Sequence, residues 1–491
     1  MPEQIVKSRL YNRFADVIVP ILTWVIITLP LWLSPFHPAV VAYLIIAFDI
    51  YFFYKSTRTV YFAVISYLTI QKISKISFRK KVLLNKTKEI HHYIVIPNYK
   101  EPLYKLESTI KHITQTDYPY KKISLVLAFE QREKDVKNKA FKLKKKFKKY
   151  FSQIIDSYHI LSDFEEPGKA SNETFAVKMI NQQITEKNID RKNVLITICD
   201  ADSCLPKNYF SYLTFQYIKD KNRQYHFYWA PVLLYNNFWQ LPFFVRMQAT
   251  LSSILRLSFL SQRDNLIQIS TYSTSLWLLD KVGFWDVNVI PEDWHIFYQA
   301  FFEFGDKVKT IPLYTLVNGD AVFSGGILRT LVNRYEQEKR WAWGASDIGY
   351  FLKKIFTTGH INFSIKIKRF IFLTEHHLFW PISFFILTVS ALVPPLINPV
   401  FKRTVLGFLL PQIASIILTI TTLALVFYIY LDIRLRKNFK KKMEFYKLPL
   451  LIIQWYMLPV VSFILSSLPA LDAHTRILFG KKLKYKVTEK V

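Results

Sequence analysis

Three groups of residues have the types and spacing to do chemistry. Asp200-Ala201-Asp202 closes an apolar, β-branched run at 194–199. Two carboxylates spaced in this way at the end of a strand can hold a hard divalent cation, which takes oxygen ligands and commonly shares them with substrate phosphates. Aspartates also close strands simply as turn formers or helix caps, here ahead of Pro206. Pro291-Glu292-Asp293 opens an aromatic helical pattern over 294–304. Paired carboxylates can accept a proton from a reacting group, and they equally complement the positive end of a helix. The third group, Gln337, Arg340 and Trp341, falls on one face of a helix read at 333–344. Arg340 offers a planar fork for phosphate oxygens and Trp341 a flat apolar surface, although a tryptophan there also suits a core or a membrane interface.

The elements that must position these groups follow from periodicity. Short runs rich in β-branched residues at 92–97, 123–129, 154–161 and 194–199 alternate with helical patterns at 103–115, 134–150 and 170–185. Such alternation predicts βαβ units and a mainly parallel sheet, whose ligands bind at the carboxyl ends of the strands. The residues just after those strands are 98–101, 130–133, 163–169 and 200–203, most of them acidic or polar.

Around this α/β region the chain is apolar. Segments 17–36, 370–396 and 405–430 are long enough to cross a bilayer, and 40–54, apolar except for Asp49, is close to that length. Lys7, Arg9 and Arg13 precede the first segment and Lys55, Arg58 and Lys72 follow the second, which places both flanks of an N-terminal hairpin in the cytoplasm. Segment 448–471 is broken by Pro449, Pro459 and Pro469 and runs into a basic tail. An interfacial or re-entrant path keeps that tail inside. The Lys-rich stretch 139–149 reads as a solvated helix face that also suits anionic lipid.

The charge sum, 66 basic against 36 acidic residues or +30, is segregated into Lys-rich runs beside uncharged stretches, as in a membrane protein with a basic cytoplasmic face. With 51% hydrophobic residues, 11 glycines and two cysteines, the composition excludes collagen, low-complexity disorder and a disulfide scaffold. The resulting organisation is a membrane hairpin and interfacial helix at 1–70, a cytoplasmic α/β domain at 71–345 and interfacial helices at 346–369. Transmembrane and interfacial segments at 370–471 and a basic tail at 472–491 complete it.

Five motifs in this order, Ile96-Pro97-Asn98-Tyr99-Lys100-Glu101, Gly168-Lys169-Ala170-Ser171-Asn172, the Asp200/Asp202 pair, Glu292-Asp293 and Gln337-Glu338-Lys339-Arg340-Trp341, resemble those of the family 2 inverting glycosyltransferases. The resemblance, over roughly 90–345, is to the processive membrane-embedded branch that includes cellulose, hyaluronan and chitin synthases. It implies a GT-A fold, a UDP-sugar donor carrying a hexose or N-acetylhexosamine, Mg2+ or Mn2+, and a growing polysaccharide or lipid-linked glycan as acceptor. It places the enzyme in the cell membrane, in contact with lipids and not nucleic acid, and leaves accessory subunits undefined.

Carried over by position, Pro97, Tyr99 and Glu101 would line the nucleoside pocket, Lys169 would meet the diphosphate, Asp200 the nucleotide and Asp202 the metal. Asp293, beside Glu292, would be the general base, and Gln337, Arg340 and Trp341 would lie near pyrophosphate and acceptor sugar. Tyr485, Val487, Thr488 and Lys490 resemble the FxVTxK gating loop, with tyrosine for phenylalanine. The pattern departs after the second strand, where relatives carry an aspartate pair and this chain has Glu130, which would take over the contact with the nucleotide base. Two other readings stand beside this one. A non-processive transferase building a lipid-linked sugar would give a single product band. A membrane-tethered binder of nucleic acid or anionic lipid would show a steep salt slope.

Overall fold

A computed structural model describes residues 2–84, 89–438, 449 and 453–483. The chain forms two compact units: Met1–Val64, Trp239–Ser258 and Ala321–Val491 make one, and Ile65–Phe238 with Phe259–Asp320 make the other.

The second unit is the α/β body. Its strands are β1 (His91–Asn98), β2 (Ile123–Glu130), β3 (Gln153–His159), β4 (Val194–Ile198), β5 (Phe227–Trp229), β6 (Val232–Leu233), β7 (Tyr272–Ser275), β8 (Thr310–Pro312) and β9 (Val317–Asn318). Seven make one sheet in the order β3-β2-β1-β4-β7-β5-β8, and β6 pairs with β9 in a small second sheet. From β3 to β4 all neighbours are parallel. β1, β2 and β4 are buried almost throughout, because helices cover both faces, so they read as continuous apolar runs. The helices Leu103–Thr114, Val136–Phe147 and Lys169–Glu186 supply the crossovers expected from the sequence.

The remaining strands correct the sequence reading, which found no strand after 199. β7 runs antiparallel to β4 and β5, and β8 returns parallel to β5, so the sheet is mixed on that side. β7 is Tyr-Ser-Thr-Ser, fully buried, and it satisfies its hydroxyls laterally: Ser273 Oγ lies 2.8 Å from Thr197 Oγ1. A strand stabilised by hydroxyl pairs carries no apolar alternation to read.

The other unit is helical. Among the described residues, five helical segments are long and apolar enough to cross a membrane: Arg13–Leu33, Pro38–Ile73, Phe363–Thr388, Val405–Arg436 and Gln454–Leu478. The second extends well beyond the 40–54 expected from hydropathy, because Lys55 and Arg58 interrupt the apolar run without ending the helix. Gln454–Leu478 is assembled from 3-10, α and π turns around Pro459 and Pro469. Polar contacts tie these helices together. Thr23 Oγ1 lies 2.8 Å from His474 Nδ1, and Trp24 Nε1 donates to Thr475 Oγ1 at 3.1 Å. Large apolar side chains such as Leu396, Val400, Val405 and Phe408 remain on the surface, as lipid-facing residues do.

Candidate active site

The carboxyl ends of β1, β2 and β4 lie side by side, because Asn98 pairs with Phe129 and Val95 with Ile198. At the end of β4, Asp200 meets two residues from elsewhere. Lys169, the first residue of helix Lys169–Glu186, places Nζ 2.8 Å from Asp200 Oδ1 and 3.0 Å from Glu292 Oε1. Ser270 donates its hydroxyl to Asp200 Oδ2 and its backbone N–H to Asp293 Oδ2 at 2.8 Å. The antiparallel course of β7 brings Ser270 there: Tyr272 pairs with Ile198, so the residues that enter β7 lie where β4 ends. Ser270 holds φ at +66°, a left-handed conformation that costs a non-glycine residue energy and is held here by two carboxylates. Gln268 steadies the same corner by donating to the Asp293 carbonyl at 2.8 Å while accepting from Thr310 at 3.0 Å.

Electrostatics follow from this crowding. Burial would lower the Lys169 ammonium, but Asp200, Glu292 and Glu173 outweigh it and hold its pKa well above the usual lysine value. Asp293 is pushed up from 3.8 to about 6 by burial and by Glu292, against the pull of Lys169 and the Ser270 N–H. Burial and the neighbouring carboxylate, which both resist ionisation, outweigh the groups that favour it. Asp293 is nevertheless mostly ionised at neutral pH and more basic than an ordinary carboxylate.

Asp202 accepts from the Asp320 backbone N–H at 3.1 Å, and the Asp320 carboxylate pairs with buried Lys105 at 3.4 Å. Among the described residues, no group of three or more His, Cys, Asp or Glu side chains is arranged to enclose a metal. Hard carboxylate oxygens at this sheet edge nevertheless fit Mg2+ or Mn2+, which is commonly bound by one or two carboxylates and completed by substrate phosphates.

The expected nucleoside side is built on β1 and β2. Pro97 is the penultimate residue of β1, and Tyr99, just beyond it, lies under Arg132, whose guanidinium carbon is 4.4 Å from the ring centroid. Arg132 also pairs with Glu130 at 2.5 Å, so the departure residue Glu130 is engaged by a cation. Lys139 Nζ donates to the Glu101 carbonyl at 2.8 Å and pairs with Glu133, which accepts from the Lys100 N–H at 2.8 Å.

Gln337, Arg340 and Trp341 lie in the helical unit, on a helix that starts at Ile327 and so extends further N-terminally than the sequence suggested. Gln337 accepts from Arg334, which also binds Glu338 and donates to Gln248 Oε1 at 2.6 Å. The guanidinium carbons of Arg334 and Arg256 lie 4.8 and 5.4 Å from the Trp341 ring centroid. The gating-loop match at Tyr485, Val487, Thr488 and Lys490 lies outside the described residues. Sequence reading missed Ser270, Glu173, Arg132 and Arg334. Of these only Glu173, one helical turn from Lys169, carried a signal in its spacing.

The structure thus sets a cation-linked carboxylate cluster at the carboxyl edge of a mixed α/β sheet. Residues 195–431 match the model of the Glycosyl transferase family group 2. Among solved structures, a mannosyltransferase, PcManGT from Pyrobaculum calidifontis, in complex with GDP-Man and Mn2+, is similar at 15% identity and a TM-score of 0.40, over 78% of this chain and 100% of that one. S. aureus TarS 1-349 in complex with UDP-GlcNAc is similar at 10% identity and a TM-score of 0.37, over 71% of this chain and 92% of that one. A search of curated proteins gave no match.

Proposed function

We propose that this chain is a membrane-embedded inverting glycosyltransferase, moving a hexose or N-acetylhexosamine from a UDP-sugar to a growing polysaccharide or lipid-linked glycan on the cytoplasmic side of the cell membrane. The observation that carries the reading is the cluster in which Lys169 bridges Asp200 and Glu292 while Ser270 links Asp200 to Asp293. Direct displacement at an anomeric carbon needs a base for the acceptor hydroxyl and neutralisation of the departing diphosphate. Asp293, with its pKa raised to about 6, takes the proton as the acceptor oxygen bonds to the anomeric carbon and the bond to diphosphate breaks on the opposite face. Lys169 meets the charge that develops on the diphosphate. A divalent cation at Asp202, when bound, would supply further neutralising charge. Asp200 and the residues at Pro97, Tyr99, Glu101 and Glu130 hold the nucleotide.

The test is transfer of radiolabelled sugar in membranes from a panel of nucleotide sugars. Asp202→Asn and Asp293→Asn should each abolish transfer while the protein still inserts. Wild-type transfer by Asp293→Asn would refute the base assignment. Gel analysis then reads the acceptor chemistry: a ladder means a polymer, and one band means a single addition.

A further inference from the structure

Lys169 has a third carboxylate neighbour that the proposed reaction does not use. Glu173, one turn along the same helix, is fully buried, and its Oε1 lies 3.6 Å from Lys169 Nζ. Neither of its side-chain oxygens accepts a hydrogen bond. Burying a carboxylate without donors is costly, and a single cation nearby offsets only part of that cost. The helix has an inexpensive alternative, since Ala176, Val177 and Ile180 fill neighbouring buried positions with apolar side chains. A carboxylate kept at such a position is explained by what it does to Lys169.

The geometry is that of a three-point mount. Asp200 and Glu292 approach the ammonium at 2.8 and 3.0 Å, and Glu173 approaches from the helix that carries the lysine. A lysine side chain is a flexible stem that loses substantial rotamer entropy when fixed. With only two partners, Asp200 after β4 and Glu292 at the start of the helix Glu292–Phe304, the ammonium would follow whatever those carboxylates do when a donor arrives. We propose that Glu173 is a positioning residue that fixes Lys169 in place for the donor diphosphate, an inference that rests on the reading of Lys169 as the diphosphate contact. Burial pushes the Glu173 carboxyl well above the usual range, as do Glu292, Asp200 and Asp293, while Lys169 pulls it down. Glu173 therefore faces the ammonium with an oxygen at 3.6 Å, a contact of charge and dipole and not a hydrogen bond, and a neutral isostere keeps an oxygen dipole at that place.

A double-mutant cycle in the full-length protein tests this, with donor KM and kcat as readouts and detergent thermal unfolding as the folding control. Glu173→Leu should raise donor KM about tenfold with kcat changed less than about threefold. Glu173→Gln, which keeps an acceptor oxygen near Lys169, should stay within about threefold of wild type in both. In a Lys169→Met background, Glu173→Leu should add nothing. Equal effects of the Leu and Gln variants on KM, or a Leu effect that adds in full to Lys169→Met, would overturn the positioning role while leaving the site standing. An unchanged donor KM in Lys169→Met alone would overturn the diphosphate reading of Lys169 and the inference with it.

Discussion

At Ser270 a single residue serves two carboxylates, with its hydroxyl on Asp200 and its N–H on Asp293. Ser270→Ala keeps the second bond and loses the first, so kcat/KM should fall about tenfold, as expected for one lost hydrogen bond to a charged group at about 1.5 kcal/mol. Asp293 gives a pH prediction. As a base it must be ionised, so kcat/KM should fall tenfold per pH unit below about pH 6. The stability sign is opposite. A carboxyl whose folded pKa lies above its unfolded value of 3.8 favours the fold when protonated, and this contribution is lost as pH rises through 6. Asp293→Asn should therefore melt higher than wild type at pH 8, with the difference shrinking by pH 5, even as transfer is lost. Asp200, Asp202, Glu292 and Asp293 were legible in the sequence because carboxylates at a strand end and a helix start stand out. Ser270 was not, since a serine in a left-handed turn has no local pattern and acquires its role only when β7 pairs with β4.

Among elements, the four parallel strands were readable because burial on both faces demands uninterrupted apolar runs. β5, β7 and β8 were not, being three or four residues long and, in β7, held by hydroxyl pairs. The helix Ile327–Ala342 depends on a buried hub that sequence periodicity also hid: Arg334, about 1% exposed, engages Gln248, Gln337 and Glu338 and faces Trp341. Arg334→Met removes the cation and leaves Glu338 buried, which should cost about 3 kcal/mol and lower the melting temperature by several degrees. A melting temperature within a degree of wild type would show that the hub does not hold the helix.

For the whole molecule, hydropathy located the apolar segments but not the path of Gln454–Leu478, which is long enough to cross yet precedes basic residues that favour the inner face. Our topology keeps that segment interfacial. In sealed vesicles of the Cys204→Ser protein, Lys137→Cys and Lys481→Cys should therefore react with a membrane-impermeant maleimide from the same side. Labelling from opposite sides would make the segment a fifth crossing.

The central claim is that the Lys169, Asp200, Glu292 and Asp293 cluster cleaves a nucleotide sugar with the help of a divalent cation. The most direct measurement is nucleoside diphosphate release by the purified full-length protein across a panel of nucleotide sugars, with and without Mn2+ or Mg2+, in the presence of native membrane lipid. Release from a UDP-sugar that needs the cation and disappears in both Asp202→Asn and Asp293→Asn is the expected result. Release that persists in either variant, or that is indifferent to chelation, would contradict the account.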